Sequence, residues 1–180
     1  MLIITIPENE IYDEYRNKFV HVKEHTLRLE HSLISLSKWE SKWNKAFLTK
    51  QEKTLEETID YIRCMTLTQN VQPEVYYCLT ADNIADVNNY ISLPMTATVF
   101  SNNGKTGTNR EIVTSELIYY WMITLNIPFE CQKWHLNRLL TLVQVCNVKN
   151  TPPKKMSKKE LANRNRALNE ARRRQLNTRG

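Results

Sequence analysis

Cys131 and His135 are the first pair of residues in this 180-residue chain whose types and spacing could support chemistry. On a helix, residues four apart share a face, so the thiol and the imidazole would lie side by side. Catalytic Cys/His pairs usually come from different elements, with a third group orienting the base. The surrounding sequence is mostly apolar. We therefore expect a hydrogen-bonded core histidine beside a core thiol.

Gly104-Lys105-Thr106 has the letters that end a phosphate-binding loop. That motif also needs a glycine five residues earlier, where the chain has Val99. Without that glycine the backbone amides cannot turn inward around a phosphate. The polar segment 101–109 is therefore expected to be a surface loop.

The sequence also contains carboxylates, cysteines and histidines that could act as acids, bases or metal ligands. Glu56, Glu57 and Asp60 lie at a helix start, where acidic side chains complement the helix dipole. None of the four cysteines belongs to a C-x-x-C pair, and the histidines have no carboxylate cluster at ligand spacing. The sequence predicts buried reduced thiols at Cys64, Cys78, Cys131 and Cys146, no catalytic residue, no metal and no cofactor. We expect a protein that is not an enzyme.

Positive charge is concentrated at the C-terminus. Residues 149–180 hold 11 basic and 2 acidic side chains, a net charge of +9, against −3 for residues 1–148. Such an arm could contact an acidic protein surface or nucleic-acid phosphates, or be a solvated tail. No aromatic residue interleaves with its charges, which argues against base stacking. The candidate contact residues are Lys154, Lys155, Lys158, Lys159, Arg172, Arg173 and Arg174.

Hydrophobic periodicity predicts the elements that position these residues. Period-2 alternation indicates strands over 2–6, 18–22 and 26–30, with Lys23–His25 as a hairpin loop between the last two. From Ser32 the period becomes helical, and Trp39 and Trp43 fall on the apolar stripe. Further helices are expected to begin at Thr54, Pro73, Thr80, Ser115 and Cys131. Thr54 opens a capping box, and its helix is expected to turn Leu55, Ile59, Ile62 and Met65 inward. A second capping box at Ser157 predicts a helix over 157–176. The 131–145 helix, with Trp134, is expected to be enclosed in the core.

The predicted fold class is α+β and mostly α, with a small N-terminal antiparallel β-sheet followed by a helical domain and a basic C-terminal helix. Residues 1–150 form the body, with strands at about 2–30 and helices at about 32–147. Residues 151–180 form a Pro-Pro hinge and the basic helix. No apolar run approaches 18 residues, and the 2–6 segment is too short and wrongly flanked for a signal peptide. We therefore expect an intracellular protein.

Four segments resemble a protein family of long-tailed bacteriophages and prophages of Gram-positive hosts. They read HSLISLSKWESKW at 31–43, EKT with TIDYI at 52–62, SELIYYWM at 115–122 and IPFECQKWHLNRL at 127–139. The C-terminal NTRG after an arginine-rich helix also fits the pattern. The resemblance extends over nearly the whole chain. Members of this family are described as tail assembly chaperones.

The resemblance implies a non-enzymatic role in the host cytoplasm. Such chaperones bind the apolar, helical tape measure protein, keep it soluble and help to recruit tail tube subunits. A holding surface needs exposed apolar side chains, for which the candidates are Trp39, Trp43, Tyr119, Tyr120 and Trp121. Two alternatives stay open: a virion structural protein such as a head–tail connector or tail component, and a small nucleic-acid-binding module that uses the basic tail. Homo-oligomerisation is also open, and no membrane partner is expected.

Overall fold

The computed structural model describes residues 1–13, 17–100, 112–151 and 158–177. The chain divides into two compact units, Met1–Asn147 and Val148–Gly180. The predicted fold class is confirmed: short antiparallel strands come first and helices follow. The elements are β1 (Leu2–Ile6), β2 (Asn9–Asp13), β3 (Lys18–Val22), β4 (His25–Leu29), α1 (Leu33–Trp43), α2 (Leu55–Met65), α3 (Ala81–Ser92), α4 (Ser115–Thr124), α5 (Leu136–Asn150) and α6 (Lys158–Leu176), with 3-10 helices at Pro73–Cys78 and Phe129–Lys133.

The strands form two separate pairs. β1 runs antiparallel to β4, with Leu2 opposite Leu29, and β2 runs antiparallel to β3, with Asn9 opposite Val22. The expected hairpin between 18–22 and 26–30 is therefore wrong. β4 pairs with β1 because the two strands bury matching residues on one face: Ile4, Ile6, Leu27 and Leu29. β2 was missed because Asn, Glu and Asp residues are depleted in strands.

The outer edge of β4 is covered by the segment that follows α2. The Leu67 N–H donates to the Arg28 carbonyl at 2.7 Å, and the Glu30 N–H donates to the Met65 carbonyl at 2.9 Å. On β1, the Asn83 side-chain amide donates to the Thr5 carbonyl at 3.2 Å. These contacts satisfy backbone groups that a sheet edge would leave open.

Three helices begin at reciprocal capping boxes. Ser32, Thr54 and Thr80 each accept a hydrogen bond from the backbone N–H three residues later, and that residue's side chain accepts from the cap's N–H. The predicted starts of α1, α2 and α3 are thereby confirmed. Asn126, with φ of 53°, follows α4 in the left-handed conformation that asparagine tolerates.

The core is centred on an aromatic cluster beneath α1. Trp39 is 1% exposed, packs edge-on against Phe47 at 5.1 Å between ring centroids, and donates from Nε1 to the Glu57 carbonyl at 2.9 Å. Phe47 stacks on Tyr61 at 3.9 Å. The indole thereby fixes α1 against the first turn of α2.

The helix expected over 131–145 begins later. Cys131 lies in the 3-10 helix, Trp134 is extended with ψ of 163°, and α5 starts at Leu136. The chain straightens here because His135 forms an isolated bridge with Ser32, and the Leu136 N–H donates to the His31 carbonyl at 2.7 Å. Trp134 is only partly buried, and the buried residues of α5 are Leu136, Leu139 and Val143. The expected full enclosure of this segment is therefore wrong.

The buried face of α2 also differs from the prediction. The buried residues are Glu57, Asp60, Tyr61, Ile62 and Met65, whereas Leu55 is 66% exposed. The inward face is rotated by about a quarter turn from the expected one on a helix of 3.6 residues per turn. The rotation lets Tyr61 reach the aromatic cluster and lets Glu57 pair with Lys45, which follows α1.

Several other expectations have direct outcomes. Cys78 and Cys131 are buried, but Cys64 and Cys146 are only partly so. The basic helix is confirmed as α6. The 101–109 loop, the Pro-Pro hinge, the Ser157 cap, Lys154 and Lys155 lie outside the described residues.

Candidate protein-binding surfaces

Cys131 and His135 do not form a catalytic pair in this structure. Cys131 lies in the 3-10 helix, whereas His135 lies in the isolated bridge that follows it. Both ring nitrogens of His135 are engaged: Nε2 lies 3.1 Å from the Tyr90 carbonyl, and Nδ1 accepts from the Asn137 N–H at 3.3 Å. Burial raises the pKa of the Cys131 thiol, so it is protonated near neutral pH and a weak nucleophile. Burial likewise raises the pKa of Cys64 and of Cys78.

The acids of α2 serve the packing of α1 on α2. Glu57 pairs with Lys45, and Asp60 pairs with Lys42 and accepts from the Trp43 indole N–H at 2.9 Å. The hydrogen bond from the Lys45 ammonium, followed by that from the Thr54 N–H, holds the pKa of Glu57 below its usual value. These carboxylates are already satisfied by neighbouring donors.

The described residues contain no group of three or more His, Cys, Asp or Glu side chains arranged to hold a metal ion. Among the same residues, no helix combines the length and the apolarity needed to cross a bilayer.

The five aromatic residues proposed to contact a partner have different surroundings. Trp39 is 1% exposed, so it belongs to the core and cannot be a contact residue of the folded chain. Trp43, Tyr119 and Trp121 are partly buried, and Tyr119 donates from its hydroxyl to Gln132 at 2.9 Å. Tyr120 is 59% exposed. The structure therefore separates the set into one core residue, three partly buried residues and one surface residue.

α4 is apolar around nearly its whole circumference but is buried on one side only. Residues 117–123 read LIYYWMI, and Ile118 and Met122 are fully buried. Tyr120 and Ile123 lie on the opposite side and are 59% and 61% exposed. A helix that is hydrophobic all round is normally enclosed. We call Tyr120 and Ile123 the α4 outer face, which has the character of a contact surface.

α6 presents charge and a thin row of leucines. Its 19 residues contain seven basic and two acidic side chains, a net charge of +5. Leu161, Leu168 and Leu176 are 49%, 47% and 71% exposed. Lys158, Lys159 and Arg172–Arg174 are exposed along the helix. A helix of this composition has little apolar surface to stabilise it in isolation.

A groove between α2 and the 3-10 helix Pro73–Cys78 was not predicted from the sequence. It encloses about 310 Å³ and is lined by Lys42, Leu55, Glu56, Ile59, Asp60, Arg63, Pro73, Tyr76 and Tyr77. Tyr77 is 71% exposed at its rim, and the Arg63 guanidinium lies 5.7 Å from the centre of the Tyr76 ring. The signal in the sequence was Tyr61 and Met65, which share a face that leaves Leu55 outside.

Comparison with known proteins yields no family model, no curated protein and no solved structure that matches this chain.

Proposed function

We propose that this protein is a tail assembly chaperone of a long-tailed bacteriophage, which binds the tape measure protein and helps to recruit tail tube subunits without catalysing a reaction. The α4 outer face is the observation that carries the proposal. It presents Tyr120 and Ile123 to solvent on a helix whose other side is already packed in the core. Exposed aromatic and aliphatic side chains on a rigid helix suit the binding of an apolar helical polypeptide.

The basic helix supports the same function. α6 carries a net charge of +5, and its exposed leucines lie among the charges. Charge of one sign speeds encounter with an oppositely charged surface and favours correct partners. An acidic stretch of a tape measure protein or of a tube subunit would suit this helix.

The resemblance to phage tail assembly chaperones supplies the identity of the partners. Its segments include the α1 sequence 31–43 and the α4 sequence 115–122. The α4 segment contains the outer-face residue Tyr120 and ends next to Ile123. The phage context also implies that the protein acts in the host cytoplasm.

Substitution of the α4 outer face tests this function. We expect Y120S/I123S to weaken binding to the co-expressed tape measure protein by about 30-fold or more, which corresponds to about 2 kcal/mol for loss of an aromatic contact. The free energy of unfolding should change by no more than about 0.5 kcal/mol per exposed site. Binding is measured with the purified complex, and unfolding by chemical denaturation.

Leu67→Ser is the matched control, because Leu67 is a similarly exposed apolar residue at 53% outside α4. It should leave binding unchanged. Equal binding by Y120S/I123S, L67S and the natural sequence would contradict the role of the α4 outer face.

A nucleic-acid-binding function is the second candidate, and the net charge of α6 is the observation that favours it. Binding of this kind falls steeply as salt is raised. Affinity for duplex or single-stranded DNA that exceeds affinity for the tape measure protein, with a steep salt dependence, would favour it. Presence of the protein in purified virions would favour the third candidate, a virion structural component.

A further inference from the structure

The outer side of α2 carries two apolar residues and two charges of opposite sign. Leu55, Glu56, Ile59 and Arg63 fall within an arc of about 100° of this helix. Leu55 is 66% exposed, Ile59 is partly buried, and Glu56 and Arg63 are exposed. Among the described residues, neither Glu56 nor Arg63 has an ion-pair partner. We call these four residues the α2 outer face.

The two charges are spaced along the helix axis. Arg63 is seven positions after Glu56, which is about 10.5 Å at a rise of 1.5 Å per residue. The midpoint between them lies between Ile59 and Asp60. Asp60 is already satisfied by Lys42 and by the Trp43 indole. The α2 outer face therefore presents a carboxylate at one end and a guanidinium, which lies 5.7 Å from the centre of the Tyr76 ring, at the other, with Ile59 between them. Among the described residues neither charge has an ion-pair partner.

We propose that the α2 outer face is the contact surface of a homodimer, in which α2 packs antiparallel to α2 of a second copy. A two-fold axis through the point between Ile59 and Asp60 brings Glu56 opposite the partner's Arg63, and Arg63 opposite the partner's Glu56. The same operation brings Ile59 close to the partner's Ile59, and Leu55 onto the stem of the partner's Arg63. Both ion pairs form at once.

The groove beside α2 gives this contact its shape. It encloses about 310 Å³ between α2 and the 3-10 helix, and Tyr77 projects at its rim with 71% of its surface exposed. A two-fold contact requires each copy to present both a projection and a recess, because the same surface lies on both sides. Tyr77 supplies the projection and the groove supplies the recess. Tyrosine is among the residues enriched in interfaces.

The α2 outer face carries one negative and one positive charge, which favours binding of a second copy of this chain over binding of a strongly charged partner. A polyanion or a basic peptide would meet a favourable charge at one end and a like charge at the other. The antiparallel dimer meets a favourable charge at both ends. This inference concerns a different surface from the α4 outer face and does not depend on the chaperone function.

Charge exchange tests the dimer with the full-length protein. Sedimentation velocity over a range of concentrations should show a concentration-dependent dimer for the natural sequence. E56R and R63E should each weaken dimerisation by about tenfold or more, because each substitution turns two attractive contacts into two repulsive ones. The double variant E56R/R63E should recover dimerisation, since each contact again joins opposite charges.

The matched control is E130R, which reverses an exposed carboxylate on the 3-10 helix Phe129–Lys133. It should dimerise as the natural sequence does. Thermal unfolding of every variant checks that the fold is intact. Three results would each overturn the proposal. The natural sequence could be a monomer at all concentrations, E130R could weaken dimerisation as much as E56R does, or the double variant could dimerise no better than the single variants. None of these results would bear on tape measure binding.

Discussion

Trp39 and Trp134 differ in burial, although both were expected on the inward side of a helix. Trp39 is 1% exposed and donates to the Glu57 carbonyl, whereas Trp134 is partly buried with the Arg138 guanidinium 4.2 Å from its ring centre. We expect W39A to lower the free energy of unfolding by about 3–5 kcal/mol through the cavity it leaves. W134A should cost only about 1–2 kcal/mol. Urea denaturation of the two variants measures both, and equal losses would contradict the core assigned to α1.

His31 and His135 form a buried pair of imidazoles in the core. Their ring centroids are 5.1 Å apart, and His31 Nδ1 lies 2.6 Å from the Tyr61 hydroxyl. Burial, with a smaller effect of His135, lowers the pKa of His31 from 6.5 to about 3. Burial also lowers the pKa of His135. Both rings are therefore neutral in the folded protein at physiological pH.

This pair predicts a stability that declines in mild acid. Below pH 6.5 the unfolded chain protonates His31, while the folded chain does so only near pH 3. The free energy of unfolding should therefore fall between those values by ~1.4 kcal/mol per pH unit from His31. Denaturation of the natural sequence and of H31Q is measured across this range. Both proteins contain the same carboxylates, so the difference between their pH slopes gives the contribution of the His31 imidazole. An equal pH slope in the two proteins would refute the assignment.

At the scale of elements, local signals predicted most of what the structure contains. Helices begin after Ser32, Thr54 and Thr80 as expected from the helical periodicity after Ser32, the capping box at Thr54 and the cap at Thr80. Such signals depend on a few neighbouring residues. Strand pairing was not predictable in the same way. It depends on which distant strand buries a matching face, and β1 supplies that face to β4.

The faces of the helices also depended on tertiary contacts. α2 turns Leu55 outward because Tyr61 and Met65 pack in the core. The groove beside α2 was therefore not predicted from the sequence, although Tyr61 and Met65 share the buried face that leaves Leu55 outside. The α4 outer face was only partly predictable, because Tyr120 was among the expected contact residues and Ile123 was not. Trp39, another expected contact residue, belongs to the core.

Deletion of α6 should affect binding of the partner without affecting the folding of the body. Every buried hydrophobic residue among the described residues lies between Ile4 and Val143. We expect deletion of residues 154–180 to leave the thermal midpoint of the body unchanged and to weaken binding of the tape measure protein. The full-length variant R172Q/R173Q/R174Q complements the deletion, because it removes three positive charges and keeps the length of α6. It should also weaken binding of the tape measure protein. An unchanged pull-down by both proteins would show that α6 has no part in binding.

At the scale of the whole molecule, the two units differ in net charge. Residues 1–148 carry a net charge of −3 and residues 149–180 carry +9. The 1–147 unit presents the α4 outer face, and the 148–180 unit presents α6. This division suits a protein that offers one partner two kinds of contact, and two linked contacts bind more tightly than either does alone.

The proposed chaperone function requires that this chain hold another polypeptide in solution. The most direct measurement is the soluble fraction of the tape measure protein expressed with this chain, without it, and with Y120S/I123S. We predict a largely soluble tape measure protein that co-purifies with the natural chain, and an aggregated one in the other two cases. A tape measure protein whose solubility is the same in all three cases would contradict the claim.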